Sequence, residues 1–266
     1  MCEILAMSMA KQATMTLSLE EFARHGGESG PHTDGWGVGY YDNWDVHLFR
    51  GLEPACESHC LELLKQQEFQ CSLAIAHIRK ATQGELMLAN TQPFQRELGG
   101  RRHIFAHNGD LKGLEKFVDF TRQPYKPIGT TDSEMAFCSL MNSLFPIWQE
   151  RVPTFEERLS LFKRSCDPWS KLGPCNIVYS DGEVLLAFAN KRTQPSDFRV
   201  RPPGLHFLTR ECKGNASATK MLGLEVHPQS ESQKVVIVSS LPLSDEGWTP
   251  FEENQYLLAA NGEVLN

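Results

Sequence analysis

Residues 105–111 read FAHNGDL, and Asn108-Gly109 in that stretch admits two readings. The apolar run before them has the length of a buried strand. Asn-Gly is a strong turn dipeptide, so one reading is a strand-end turn. A second reading uses the same geometry. Asn108 offers a side-chain NH2 and Gly109 an unobstructed backbone N–H, and two such donors aimed at one point form an oxyanion hole. That reading needs a nucleophile elsewhere in the chain.

The chain opens MCEIL. Cys2 is either a small apolar residue that happens to come second or a thiol that uses a chain terminus. If Met1 is removed, which a residue as small as cysteine permits, amine and thiol belong to one residue. An α-amino group titrates near about 7.7–8.0, so it can serve as general base for its own side chain, whereas a lysine amine stays protonated at neutral pH. Two further stretches carry charge at strand and helix ends. In AHIRKATQG (76–84), Arg79 is either a solvated charge or a bidentate clamp for a carboxylate. In GTTDSE (129–134), Asp132 is either a helix-end carboxylate or an acceptor for a substrate ammonium. DGWGVGY (34–40) sets Gly35, Gly37 and Gly39 at period two, leaving one strand face bare for a backbone or ligand. It lacks the GxGxxG spacing of a dinucleotide site.

The sequence predicts a helix over 16–25, strands in GWGVGYY and WDVHLFRG, a helix in PACESHCLELLKQQ, and strands in SLAIAHI and RHIFAHNG. The clearest helix is TDSEMAFCSLMNSLF, with Thr131 and Glu134 as a capping box, and a charged helix follows near 154–165. The last third is strand-rich, with hairpins at Asp181-Gly182 and Asn261-Gly262, and residues 193–204 form the best loop. Blocks of strands and helices joined by hairpins favour an α+β fold with antiparallel sheet. No linker divides the chain, so residues 2–266 are expected to form one domain.

The 266 residues carry a net charge of -7, without a basic stripe for nucleic acid. Neither a signal peptide nor an apolar run of about 20 residues is visible, so a cytoplasmic protein without membrane contact is expected. Eight cysteines without a CxxC read mainly as reduced core residues. Cys56, His59 and Cys60 lie at helical spacing, but no second cluster completes a metal site, so they read as a helix face. No metal or cofactor is expected.

Taken in order, the second-position Cys, DGWGVG, AHIRKAT, NTQPF, FAHNG and TTDSE resemble the class II glutamine amidotransferases, a family of N-terminal nucleophile hydrolases. The match spans residues 2–140. SSLPLSDEGWTPFEENQ (239–255) is similar to stand-alone bacterial members. The resemblance implies a four-layer αββα sandwich of two antiparallel sheets. It implies Cys2 as nucleophile with its freed amine as base, and Asn108 and Gly109 as the oxyanion hole. It also implies Arg79 on the α-carboxylate of glutamine, Asp132 on its ammonium, and Thr82 lining the pocket. Fused members usually carry Trp and His where this chain has Lys80 and Gln83, which leaves the leaving amine open. The expected activity is cleavage of the side-chain amide of glutamine or a γ-glutamyl compound through a thioester. The alternatives are a glutaminase subunit feeding ammonia to a separate synthetase partner and a non-catalytic amino-acid sensor.

Overall fold

Strand β1 (Glu3–Thr14) is the longest strand among the described residues, and its alternation shows how the layers stack. Ile4 and Ala6 point to one core, while Leu5, Met7 and Met9 point to another. The computed structural model describes residues 2–14, 16–67, 69–81, 84–212 and 232–265.

In chain order, β1 is followed by α1 (Thr16–Arg24), β2 (Trp36–Asp42), β3 (Asp45–Gly51), α2 (His59–Gln66), β4 (Gln70–Ile78), β5 (Phe94–Leu98) and β6 (Arg101–Gly109). Next come α3 (Asp132–Glu150), α4 (Phe155–Trp169), β7 (Cys175–Ser180), β8 (Leu185–Ala189), and the two-residue strands β9 (Arg192–Thr193) and β10 (Val200–Arg201). The chain closes with β11 (His206–Cys212), β12 (Gln233–Ser239), β13 (Thr249–Pro250), β14 (Gln255–Ala260) and β15 (Glu263–Val264).

One sheet has the order β13-β11-β12-β1-β4-β2-β3, the other β15-β14-β8-β7-β6-β5, and β9 pairs only with β10. Every pairing is antiparallel. Three apolar clusters define four layers. Leu19 and Phe22 of α1 and Leu61 and Leu64 of α2 pack on the outer face of the seven-stranded sheet. Ile4, Ile75, Ile104, Val178, Val236 and Leu257 fill the space between the sheets. Phe137, Leu140 and Met141 of α3, with Phe162 and Cys166 of α4, cover the outer face of the six-stranded sheet. Each such side chain contributes about 1.5–3 kcal/mol by leaving water. The result is the expected αββα sandwich. Among the described residues no helix is long and apolar enough to cross a membrane.

Local expectations differ from the structure in a few places. Gly37 and Gly39 leave the expected bare face, and a backbone does approach it, that of Gln92, with Ile104 of the second sheet beside Gly39. A Cβ on Gly37 would sit 2.2 Å from the Gln92 carbonyl oxygen, and one on Gly39 would lie 3.3 Å from Ile104 Cδ1. Cys56 does not share a helix face with His59 and Cys60. It sits on a 3-10 turn ahead of α2, whose start is capped by the Ser58 hydroxyl accepting from Leu61 N at 3.3 Å. The Thr131–Glu134 capping box is only half formed. Thr131 Oγ1 accepts from Glu134 N, but the Glu134 carboxylate turns to Arg96 Nη2 at 2.5 Å and Gly129 N at 2.6 Å. The complete box belongs to α4, between Thr154 and Glu157. The loop read over 193–204 is interrupted by the β9–β10 pair, which sets Thr193 opposite Val200, and residues 202–204 continue beyond it.

Candidate active site

Cys2 lies just before β1, and Glu3 is in register with Ile78 at the end of β4. That register sets the thiol beside Arg79 and Lys80. Cys2 Sγ donates to Lys80 O at 3.4 Å and accepts from Lys80 N at 3.3 Å. The residue is half-buried. Burial pushes the thiol up from its ordinary value; the Lys80 hydrogen bond and the Arg79 guanidinium pull against that, and Asp132 adds to it. Arg79 and Asp132, 53 residues apart in sequence (132 − 79), therefore both act on the same sulfur.

Arg79 is buried. Its backbone extends the pairing of β4, donating to Gly35 O at 2.8 Å and accepting from Asp34 N at 3.1 Å. Its guanidinium donates to Glu85 O at 3.3 Å and Gly84 O at 3.2 Å, which ties those two carbonyls to the end of β4. Asn90 pins the same loop to the segment before α3. Its Nδ2 donates to Glu85 O at 3.0 Å, and its Oδ1 accepts from Thr130 N at 2.8 Å. Thr82 lies outside the described residues.

Asn108 and Gly109 end β6, opposite Asn176 and Cys175 of β7. Asn108 is fully buried. One hydrogen of its Nδ2 goes to Ser240 Oγ at 3.3 Å, and its Oδ1 has no partner among the described residues. Ser240 Oγ also accepts from Ile4 N at 3.0 Å, two residues beyond Cys2, which ties the Asn108 amide to the start of β1. Gly109 is required by close approach: a Cβ there would stand 2.0 Å from Pro174 O and 2.4 Å from His107 Nε2.

Asp132 is the first residue of α3. Its carboxylate accepts from Leu111 N at 2.7 Å and from Ser133 N at 2.8 Å, so it holds the segment after Gly109 against the helix N-terminus. Ser133 Oγ and His107 Nδ1, 2.9 Å apart, make a second link between β6 and α3. The structure thus gathers Cys2, Arg79, Asn108, Gly109 and Asp132 at the ends of β1, β4 and β6 and the start of α3.

Sequence reasoning passed over a charged group behind Cys2. The Glu3 carboxylate is buried, 2.7 Å from His25 Nδ1, 3.9 Å from His32 Nε2 and 4.0 Å from Arg192 Nη2. An acidic residue inside the apolar run EILAM was the available signal. Burial pushes the Glu3 carboxyl up, but the His25 hydrogen bond and the nearby positive charges outweigh it and hold it below its ordinary value. The Glu3 hydrogen bond raises His25. The carboxylate adds stability that is lost as pH falls through its lowered folded value; the histidine adds stability that is lost as pH rises through its raised one. Their joint contribution is therefore greatest between about pH 4.3 and 6.5, the two ordinary values. His25→Ala is expected to lower the melting temperature most near about pH 5.5, and less above pH 8. A deficit that stays constant from acid to alkaline pH would remove the ion pair from this account.

The family model described as "Glutamine amidotransferases class-II" matches residues 1–266. The chain belongs to the class II glutamine amidotransferases. Two bacterial members share the printed name "Putative glutamine amidotransferase". One, from Haemophilus influenzae, is 32% identical over 100% of this chain and 86% of its own length. The other, YafJ of Escherichia coli, is 28% identical over 99% of both. The crystal structure of a "predicted glutamine amidotransferase" from Pseudomonas aeruginosa superposes with a TM-score of 0.70 at 30% identity, covering 100% of both chains. Glutamine phosphoribosylpyrophosphate amidotransferase of B. subtilis shares the fold at 15% identity, with a TM-score of 0.62 over 99% of this chain and 48% of its own.

Proposed function

We propose that the chain hydrolyses the side-chain amide of glutamine or of a γ-glutamyl compound, with Cys2 as nucleophile. The observation that carries this reading is geometric: the Cys2 thiol is hydrogen-bonded to Lys80, next to the buried cation Arg79, and the Asp132 carboxylate holds Leu111 N, two residues past Gly109, so a cation and an anion are at hand for an amino acid's α-carboxylate and ammonium. Once Met1 is removed, the Cys2 amine takes the thiol proton and the sulfur attacks the amide carbon. The C=O electrons move to oxygen, where the second Asn108 Nδ2 hydrogen and the Gly109 N–H receive them. The ammonium of Cys2 then protonates the leaving nitrogen as the C–N bond breaks. Water, deprotonated by the same amine, opens the γ-glutamyl thioester to glutamate and free thiol.

In this reading the α-carboxylate displaces the carbonyls of Gly84 and Glu85 from Arg79, which couples the loop to substrate binding. Arg79→Lys replaces a planar fork with a point charge. It is expected to raise KM for glutamine by about tenfold, with a smaller change in kcat. An unchanged KM in steady-state kinetics would remove Arg79 from the carboxylate.

The test of the whole reading is rapid acid quenching of the chain mixed with glutamine or with a panel of γ-glutamyl amides, followed by peptide mass mapping. A γ-glutamyl adduct on the Cys2 peptide, decaying as glutamate appears, is expected. Glutamate release with no adduct at any time, under conditions where thioester hydrolysis is the slow step, would refute the covalent route. If glutamine is turned over only when a separate protein is added, the chain is instead a glutaminase subunit for a synthetase.

A further inference from the structure

Arg192 begins β9, outside both large sheets, yet it is only 3% exposed. A buried guanidinium normally spends its donors on a carboxylate fork or on several carbonyls, because leaving it uncompensated is costly. Here Nη1 donates to Ser240 O at 2.7 Å. Nη2 stands 4.0 Å from Glu3 Oε1, an ion pair too long for a hydrogen bond. Nε has no partner among the described residues. The Glu3 charge is already shared with His25 at 2.7 Å and with His32. Arg192 is therefore an under-compensated cation.

Two observations connect it to the reaction. The residue it grips, Ser240, carries the hydroxyl that fixes the Asn108 amide and the Ile4 N–H. The guanidinium also lies beside the start of β1: its Nη2 is 4.0 Å from the carboxylate of Glu3, the residue next to Cys2, and burial pushes it down while Glu3 first, then an ionised Cys2, push it back up. Other titratable groups near this cluster are His206, which feels the Arg192 charge, His77, which pairs with Ile4 and feels Arg79 and His32, the terminal amine, and Arg79 and Asp132 across the thiol.

Resting on the hydrolase reading above, we propose that Arg192 is a positioning residue for that reaction: its guanidinium, fixed by Ser240 and loosely paired with Glu3, is the buried counter-charge that the Cys2 thiolate completes. Glu3, held by His25, keeps Arg192 in place without neutralising it fully. Arg192 also presses Ser240 against Asn108, so nucleophile and oxyanion donor are set by one side chain.

The test reads the thiol directly and needs no turnover. The full chain is alkylated with iodoacetamide across pH, and the Cys2 peptide is quantified by mass spectrometry. The exposed Cys56 and Cys60 serve as internal references. Arg192→Met is expected to displace the Cys2 profile to higher pH by about one unit, slowing alkylation severalfold at neutral pH. Cys56 and Cys60 should be unmoved, and Arg192→Lys should restore most of the rate. A Cys2 profile that superposes on wild type in folded Arg192→Met overturns the proposal. If that variant does not fold, E3Q is compared with E3Q/R192M, which removes both buried charges together. The proposal requires the double variant to alkylate Cys2 more slowly than E3Q, and equal rates overturn it. A chain that alkylates as expected yet hydrolyses no γ-glutamyl amide keeps the role of Arg192 at the thiol and discards the hydrolase reading.

Discussion

Cys2→Ala is expected to lower kcat for glutamine hydrolysis by roughly 10⁴-fold or more, the scale on which removal of a nucleophile acts in hydrolases that form covalent intermediates. The chain should stay folded. The thiol is half-buried, and its two contacts are with the backbone N–H and C=O of Lys80, which water reaches when the sulfur is gone. Arg79 and Asp132 remain, so glutamine binding measured by calorimetry should survive the substitution. This split separates an enzyme from an amino-acid sensor. A sensor would bind glutamine equally well in both forms but show no turnover in wild type. Cys2→Ser sharpens the comparison, since it keeps the amine and the Lys80 contacts and removes only the sulfur. Turnover within tenfold of wild type in Cys2→Ala would exclude this residue as nucleophile. An intact mass taken on the active protein tests the other half of the mechanism: a fully active chain that keeps Met1 has no free amine at Cys2 to act as base.

The parts of the fold that were legible in the sequence are those where local chemistry and tertiary packing agree. Asp181-Gly182 and Asn261-Gly262 both turn hairpins, with Gly182 at φ 90°, Asn261 at φ 49° and Gly262 at φ 74°, as the turn chemistry requires. The apolar face of α3 was readable because Leu140, Met141 and Leu144 recur at helical spacing and are buried, with Met135 partly buried against them; Phe137, at the centre of the same face, was not read. Strand β1 was not recognised. Its Ala and Met residues are weak strand formers, and it is a strand because β4 and β12 flank it on both sides. The candidate site divides the same way. Asn108-Gly109, Arg79 and Asp132 end regular elements and stand out as punctuation. Glu3, Arg192 and Ser240 are drawn together across more than 230 residues (240 − 3), and no local pattern announces such a contact. The family resemblance supplied roles for the first group and none for the second.

Asn108→Ala is expected to lower kcat by roughly 10²–10³-fold, the usual effect of deleting one oxyanion donor, while KM changes by less than about threefold because the ground-state amide makes little use of that donor. The loss of stability should be small for a buried polar side chain. The amide gives up one 3.3 Å bond to Ser240 Oγ, but its Oδ1 is already without a partner, so removing that atom relieves a desolvated group. Ser240 keeps its bond from Ile4 N, and β1 stays in register. Asn108→Asp separates the donor from its shape: the carboxylate fills the same volume but presents negative charge to the developing oxyanion. It should therefore be at least as slow as the alanine variant. A slow Asn108→Ala with wild-type kcat in Asn108→Asp would mean that volume rather than hydrogen bonding matters there. Wild-type kcat in both would leave Gly109 N–H without its partner and the oxyanion hole at the end of β6 without support.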